Sequence, residues 1–461
     1  MVSPDEQGPA VGQAPPAGAP AWTRWLLPLA LGLVASLWFH LGRDASRDGQ
    51  LDIDEAEWLG MSIHSFQLLA TGESRDLGAT PEELDAAAAD PWRLGIADST
   101  FGWMNPLLPK LVFGAVAQVQ GHRHAHRDVY MRFLQDEPGQ AERARARLVA
   151  SQLFVPALAG GRAVTTLLAA CVAALLFAAG RSLGGTTCGL VAWLLWAASP
   201  AAREAAQHVR TDLFPLAFSL AALAYALARR DRLAGARGAR AQIGGGLVLG
   251  VLAGLAVGSK PNGALVAVAV ALWLPALWLL RPAGERTSFA RGLLPASLAA
   301  AAACLALFAL FNVAAWGPAP LEGLAELRRR WEQSMVFNQR HYLHKIAIAR
   351  DLPQRVSLAL HGTLGRDEPL RALTGLPLGA PLLVGGLWLL VRDLVRGALD
   401  ARASARVLLA WTAVIVTGTT LWLPMDWERF FLPYLPCMIL LEAVLVAWLL
   451  ARLQERVRAP A

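Results

Sequence analysis

The chain has 461 residues, 55% of them hydrophobic and only 17% charged, with a formal net charge of +7 at pH 7. The apolar residues come in long uninterrupted runs, which argues against a soluble domain. Such runs suit helices that cross roughly 30 Å of hydrocarbon, about 20 residues each. Excess arginine in short cytoplasmic loops accounts for the basic balance, so no nucleic-acid partner is expected. Cys171, Cys188, Cys304 and Cys437 lie in or beside apolar runs and form no C-x-x-C pair. That pattern argues against a disulfide framework or a thiolate metal site.

In chain order, residues 1–21 are rich in proline, alanine and glycine without periodicity and read as a disordered cytoplasmic tail. This stretch lacks the basic start and the small-residue cleavage site of a signal peptide. The first apolar run is Trp25 to Leu41, followed by a long polar region from Gly42 to Gly161. Further runs are Ala163–Gly180, Gly189–Ala201, Leu213–Ala228, Ile243–Gly258, Ala264–Leu280, Leu293–Trp316, Leu376–Val391, Val407–Leu423 and Phe430–Leu450. By length these make about ten spans. The expectation is an all-α, polytopic membrane helix bundle in one domain, 22–455, with a short cytoplasmic tail at 456–461.

Arginine placement orients the bundle. Short loops carrying Arg229, Arg230, Arg232, Arg237 and Arg240, then Arg281, Arg286 and Arg291, then Arg392, Arg396, Arg402 and Arg406 occupy alternate inter-helix positions. The opposing turns carry little beyond Lys260 and Arg429. The positive-inside rule therefore puts both termini in the cytoplasm of a multi-pass cell-membrane protein, with two large extracytoplasmic loops at 42–161 and 317–374. The apolar stretch that opens at Asn105-Pro106-Leu107-Leu108-Pro109-Lys110 is about 13 residues long and contains a lysine. It suits a juxtamembrane helix in the interface; counting it as a span would invert every later loop.

Gly246, Gly250, Gly254 and Gly258 recur every four residues and form a smooth seam for a neighbouring helix. Glu442 falls in the middle of the last apolar run, where a helix-packing hydrogen bond is the expectation. His122, His124 and His126 are spaced for chelation only on an extended strand, and they read as a solvated basic face.

Three places carry groups suited to chemistry. Asp54, Glu55 and Glu57 offer a general base or cation ligands near the membrane surface, while Asp54 and Glu57 equally resemble a helix-capping box. After the third span, Arg210 and Asp212 set a cation for an anionic leaving group beside a carboxylate, in company with Arg203, Glu204 and His208. The alternative for Asp212 is a cap on the following helix. Lys110 suits either snorkelling to lipid phosphate or holding the phosphate of a lipid-linked substrate.

Five ordered elements resemble the C-type glycosyltransferase superfamily, in particular protein O-mannosyltransferases and the transferases that attach aminoarabinose to lipid A. They are Asp54-Glu55 in the first long loop; Asn105-Pro106-Leu107-Leu108-Pro109-Lys110; Arg210-Thr211-Asp212-Leu213; Gly254-Leu255-Ala256-Val257-Gly258-Ser259-Lys260; and Arg429-Phe430-Phe431-Leu432-Pro433-Tyr434-Leu435-Pro436. Asn105 stands where the family has histidine, and the first loop has an acidic, alanine-rich insertion around Glu73 to Asp90.

The resemblance implies a sugar donor on a polyprenyl phosphate and an acceptor that is a protein, lipid A or another glycan. Asp54, Glu55 and Asp212 would be catalytic; Lys110, Arg210, Asn105, Arg429 and Lys260 would bind substrate. Asp54 would take the acceptor proton during inversion at the anomeric carbon, through an oxocarbenium-like transition state. No cofactor is expected, and a divalent cation at Asp54 is compatible with the family without being predicted. The rival reading is a secondary transporter or lipid flippase, which calls for ionisable residues near the bilayer midplane.

Overall fold

The structure is a computed structural model. It describes residues 21–41, 53–72, 106–121, 154–229, 238–279, 286–312, 347–366, 369–374, 376–397, 399–423 and 428–458, with short pieces between 316 and 332. Of the expected tails, residues 1–20 and 459–461 lie outside the described residues, as do the acidic insertion, Asn105 and the His122–His126 run, whereas Ala21 opens α1 and Arg456–Arg458 close the last helix.

The described chain is an all-α bundle. Its helices are α1 (Ala21–Leu41), α2 (Ile53–Thr71), α3 (Leu107–Val119), α4 (Phe154–Ala198), α5 (Pro200–Gln207), α6 (Leu213–Ala228), α7 (Ala239–Val257), α8 (Ala264–Leu279) and α9 (Arg286–Phe311). There follow α10 (Leu352–Leu360), α11 (Pro369–Thr374), α12 (Gly379–Arg396), α13 (Leu399–Trp422), α14 (Glu428–Phe431) and α15 (Leu435–Arg458). Each expected apolar run overlaps these helices, but Gly189–Ala201 crosses from α4 into α5 at Ser199, Phe430–Leu450 crosses the turn between α14 and α15, and Leu293–Trp316 runs past the end of α9 at Phe311. Five are long and apolar enough to cross a membrane, α4 counted once, and shorter apolar helices join them.

Two expected spans lie in α4 as two separate helical limbs, because Gly184 and Gly185 leave the helical conformation and the chain reverses there. Gly185 takes φ 79°, a left-handed conformation open to glycine at little cost. The two limbs return side by side: the Trp196 indole donates to the Ala169 carbonyl at 3.0 Å. Other tryptophans tie helices together in the same way. Trp38 donates to Ala197 O and Trp193 to Leu31 O, joining α1 to α4. Trp273 donates to Val407 O, joining α8 to α13. A buried indole N–H needs such an acceptor, so each bond fixes register as well as proximity.

The glycine seam packs as its spacing predicts. A Cβ at Gly246 would meet the Ala296 carbonyl, one at Gly250 the Ala300 carbonyl, one at Gly254 Cys304 and Leu307, and one at Gly258 Phe311. The α7 seam, from Gly246 to the Gly258 that follows its last residue, thus lies directly on α9, at a separation that excludes larger side chains. Glu442 is wholly buried in α15.

A second, smaller core sets up one end of the bundle. Leu59 and Ile63 of α2, Phe113 and Ala117 of α3, Leu158 of α4, Val209 and Phe214 pack together. Phe113 and Phe214 meet edge to face, with centroids 5.5 Å apart. Helices α2 and α3 cross closely, since a Cβ at Gly114 would run into Ser62 O and Phe66. The Leu108 N–H donates to the Gly258 carbonyl at 3.3 Å, docking the first turn of α3 on the end of α7.

Candidate functional site

At that end, several elements bring charge together. Asp212 takes the N-cap position of α6 but makes no cap hydrogen bond, and its backbone is already helical. The capping role expected as its alternative is therefore not what the carboxylate does. It pairs instead with Lys260, which follows the last turn of α7. Lys260 reaches it because a 3₁₀ turn, Pro261–Gly263, carries the chain from α7 into α8. Gly263 is required there, as a Cβ would strike Ala256 and Val257.

Burial pushes the Asp212 carboxyl up, but Lys260, Arg429 and Arg210 outweigh it and hold it below the usual carboxylate range. A cavity of about 30 Å³ opens beside it, lined among others by Ser219, Asn262, Trp411 and Pro433. That is room for about two waters. The Trp411 indole donates to Ser219 Oγ at 3.1 Å, and Asn262 Oδ1 is buried with no hydrogen-bond partner among the described residues. Asn262 is a residue that sequence reasoning missed, having no signal beyond its place after Lys260.

Glu55 lies in the first turn of α2 and is 0% exposed. Arg162 clasps it with two bonds, Nε to Oε1 and Nη2 to Oε2, each 2.7 Å. The Val209 N–H donates to Oε1 at 2.9 Å, and His208 Nδ1 is 3.6 Å from Oε2. Burial raises the Glu55 carboxyl, yet the hydrogen bonds and charges of Arg162 and His208 win and hold it down at about 2. One carboxylate thus joins α2, the start of α4 and the turn before α6. Arg162 was invisible as a partner in the sequence; its only signal is a guanidinium at the threshold of an apolar run.

The same turn continues the network. His208 Nε2 is 3.1 Å from Glu204 Oε1, and Arg210 Nη2 is 3.4 Å from that oxygen. Burial lowers the imidazole, but Glu204 and Glu55 raise it to about 9.

Lys110 is 0% exposed, so it does not snorkel to a lipid surface. Burial holds its amine down to about 7. Asp54 lies in the first turn of α2, and its side chain is outside the described residues. Arg429 sits in α14, its guanidinium 5.7 Å from the Phe430 ring centroid. Of the expected site residues, Glu55, Lys110, Arg210, Asp212, Lys260 and Arg429 all belong to elements that meet at this end. Among the described residues no three His, Cys, Asp or Glu side chains converge as a metal-binding group.

No protein-family model matches the chain, and no curated protein matches it. Two solved structures are similar. The crystal structure of ArnT from Cupriavidus metallidurans in the apo state shares 15% identity at TM-score 0.48, over 93% of this chain and 60% of that one. The crystal structure of the same protein bound to undecaprenyl phosphate shares 14% identity at TM-score 0.48, over 95% of this chain and 64% of that one. The chain therefore spans less than two thirds of the length of these structures.

Proposed function

We propose that the chain is a glycosyltransferase that moves a sugar from a polyprenyl-phosphate donor to an acceptor at the extracytoplasmic face of the membrane. One observation carries the reading. Asp212 is paired with Lys260 under the influence of Arg429 and Arg210, at the bundle end where the buried-lysine turn of α3 docks on α7. Three cations around one carboxylate leave a net positive site, suited to a phosphate that gains charge as it departs.

The reaction forms a bond from the acceptor oxygen to the anomeric carbon and breaks the bond from that carbon to the phosphate oxygen. Asp54 takes the acceptor proton, the electron pair of the broken bond stays on the lipid phosphate, and the anomeric centre inverts. Lys110, Arg210 and Arg429 receive the phosphate, and Asn105, from the family-like element that precedes Lys110 in the chain, is assigned to substrate binding with them. Asp212 holds Lys260 toward the same place. Glu55 already accepts bonds from Arg162 and Val209, so we assign it to positioning rather than proton transfer.

Reconstituted protein supplied with a polyprenyl-phosphate sugar tests this. Asp212→Asn and Lys260→Met are expected to lower transfer by about 10²–10³-fold, the scale of removing one preorganised electrostatic contact. Full activity in both would remove the cluster from the reaction. The transporter or flippase alternative draws on the buried Glu442 of α15; lipid movement without sugar consumption would favour it.

A further inference from the structure

The chain of charges behind the cluster has an unusual member. His208 stands between two carboxylates, Glu55 of α2 at 3.6 Å from Nδ1 and Glu204 of α5 at 3.1 Å from Nε2. At 3.6 Å Nδ1 makes no hydrogen bond to Glu55, so the tie on that edge is one of charge: a neutral ring donating from Nε2 to Glu204 would turn its Nδ1 lone pair toward the Glu55 carboxylate, and only the protonated ring attracts both. Glu204 in turn shares its Oε1 with Arg210, two residues before Asp212.

We propose that His208 is a positioning residue: as an imidazolium it clamps the start of α2 to α5, and through Glu204 it fixes Arg210 beside Asp212. The role for the donor phosphate rests on the transferase reading; the clamp itself does not. Among the described residues the charged groups around His208 are Glu55 from α2, with Arg162 of α4 behind it, Glu204 from α5, and Arg210 from its own turn. Arg429 of α14 acts on Asp212 instead. The environment raises His208 from 6.5 to about 9. A raised value means that its stabilising contribution is complete below pH 6.5 and is lost as pH rises through about 9.

Two measurements on the full chain decide the matter. The first is the melting temperature of detergent-purified wild type minus that of His208→Gln, followed from pH 6 to pH 10.5. The expected difference is positive at low pH and vanishes above about pH 9, because glutamine never carries the charge. Subtraction removes the opposing contribution of Lys110, which both proteins share. A difference that does not change with pH overturns the clamp.

The second is the kinetics of transfer. His208→Gln is expected to raise the donor KM about tenfold with a smaller change in kcat, the loss of one charge-assisted contact. His208→Arg, a two-edged cation that does not titrate in this range, is expected to restore much of the KM and to lack the alkaline loss near pH 9. An unchanged KM in His208→Gln, or a fall confined to kcat, overturns the positioning role. Should wild type consume no polyprenyl-phosphate sugar, the transferase reading fails, and the melting difference still decides the clamp.

Discussion

Arg162→Met is the perturbation whose size the structure sets most directly. Glu55 is 0% exposed, and Arg162 supplies its two 2.7 Å bonds. A fall in the carboxyl from 4.5 to about 2 corresponds to about 3 kcal/mol of stability at neutral pH. That figure is the net of burial, Arg162 and His208 together; stranding a buried charge by deleting one partner costs about 3–5 kcal/mol in other proteins. Burial is the largest influence on Glu55 and opposes ionisation. Without Arg162 the carboxyl would therefore be pushed upward. In wild type the contribution is present above pH 4.5 and lost as pH falls through about 2.

Denaturant unfolding in detergent should show Arg162→Met less stable by about 3–5 kcal/mol at pH 7. The double variant Arg162→Met with Glu55→Gln should recover part of that loss, because the stranded charge is gone. Equal stability of Arg162→Met and wild type, or a double variant no better than the single one, would refute the reasoning. The first result would mean that Glu55 is not ionised in the fold.

Lys110→Met should raise the melting temperature more at pH 6 than at pH 10. The buried lysine is held near 7 against 10.5 when unfolded, so wild-type stability rises with pH between those values. The same variant should weaken binding of a polyprenyl phosphate about tenfold or more, read by ligand-induced stabilisation. Gly250→Val should destabilise the bundle by about 1–3 kcal/mol, because its Cβ meets the Ala300 carbonyl. Gly244→Ala is the control, with nothing within 4 Å of its Cβ, and should melt as wild type does.

Much of the architecture was legible in one dimension. A helix crossing hydrocarbon must satisfy its own backbone, so a run of apolar residues of sufficient length names both the element and its surroundings. The glycines of α7 announced a close helix contact because their four-residue spacing returns them to one face. The two limbs of α4 were read as separate runs, Ala163–Gly180 and Gly189–Ala201, though nothing in that reading located the reversal between them. Arg210, Asp212, Lys110 and Lys260 stood out as charges beside apolar segments, where ionisable groups carry a solvation cost.

What those charges do was decided by tertiary structure. Whether Asp212 caps α6 or meets a cation depends on Lys260, 48 positions away and delivered by the end of α7. Lys110 could have reached for lipid; the packing of α3 against α2 and α7 closes it in instead. Glu55 read as a candidate general base or cation ligand; in the fold Arg162, 107 positions on, comes within hydrogen-bonding distance and engages it. Hydrophobic pattern is a property of neighbours along the chain, whereas charge pairing falls off with distance in space and depends on who shares the pocket. Sequence therefore located the helices and the suspects, and only the fold chose their partners.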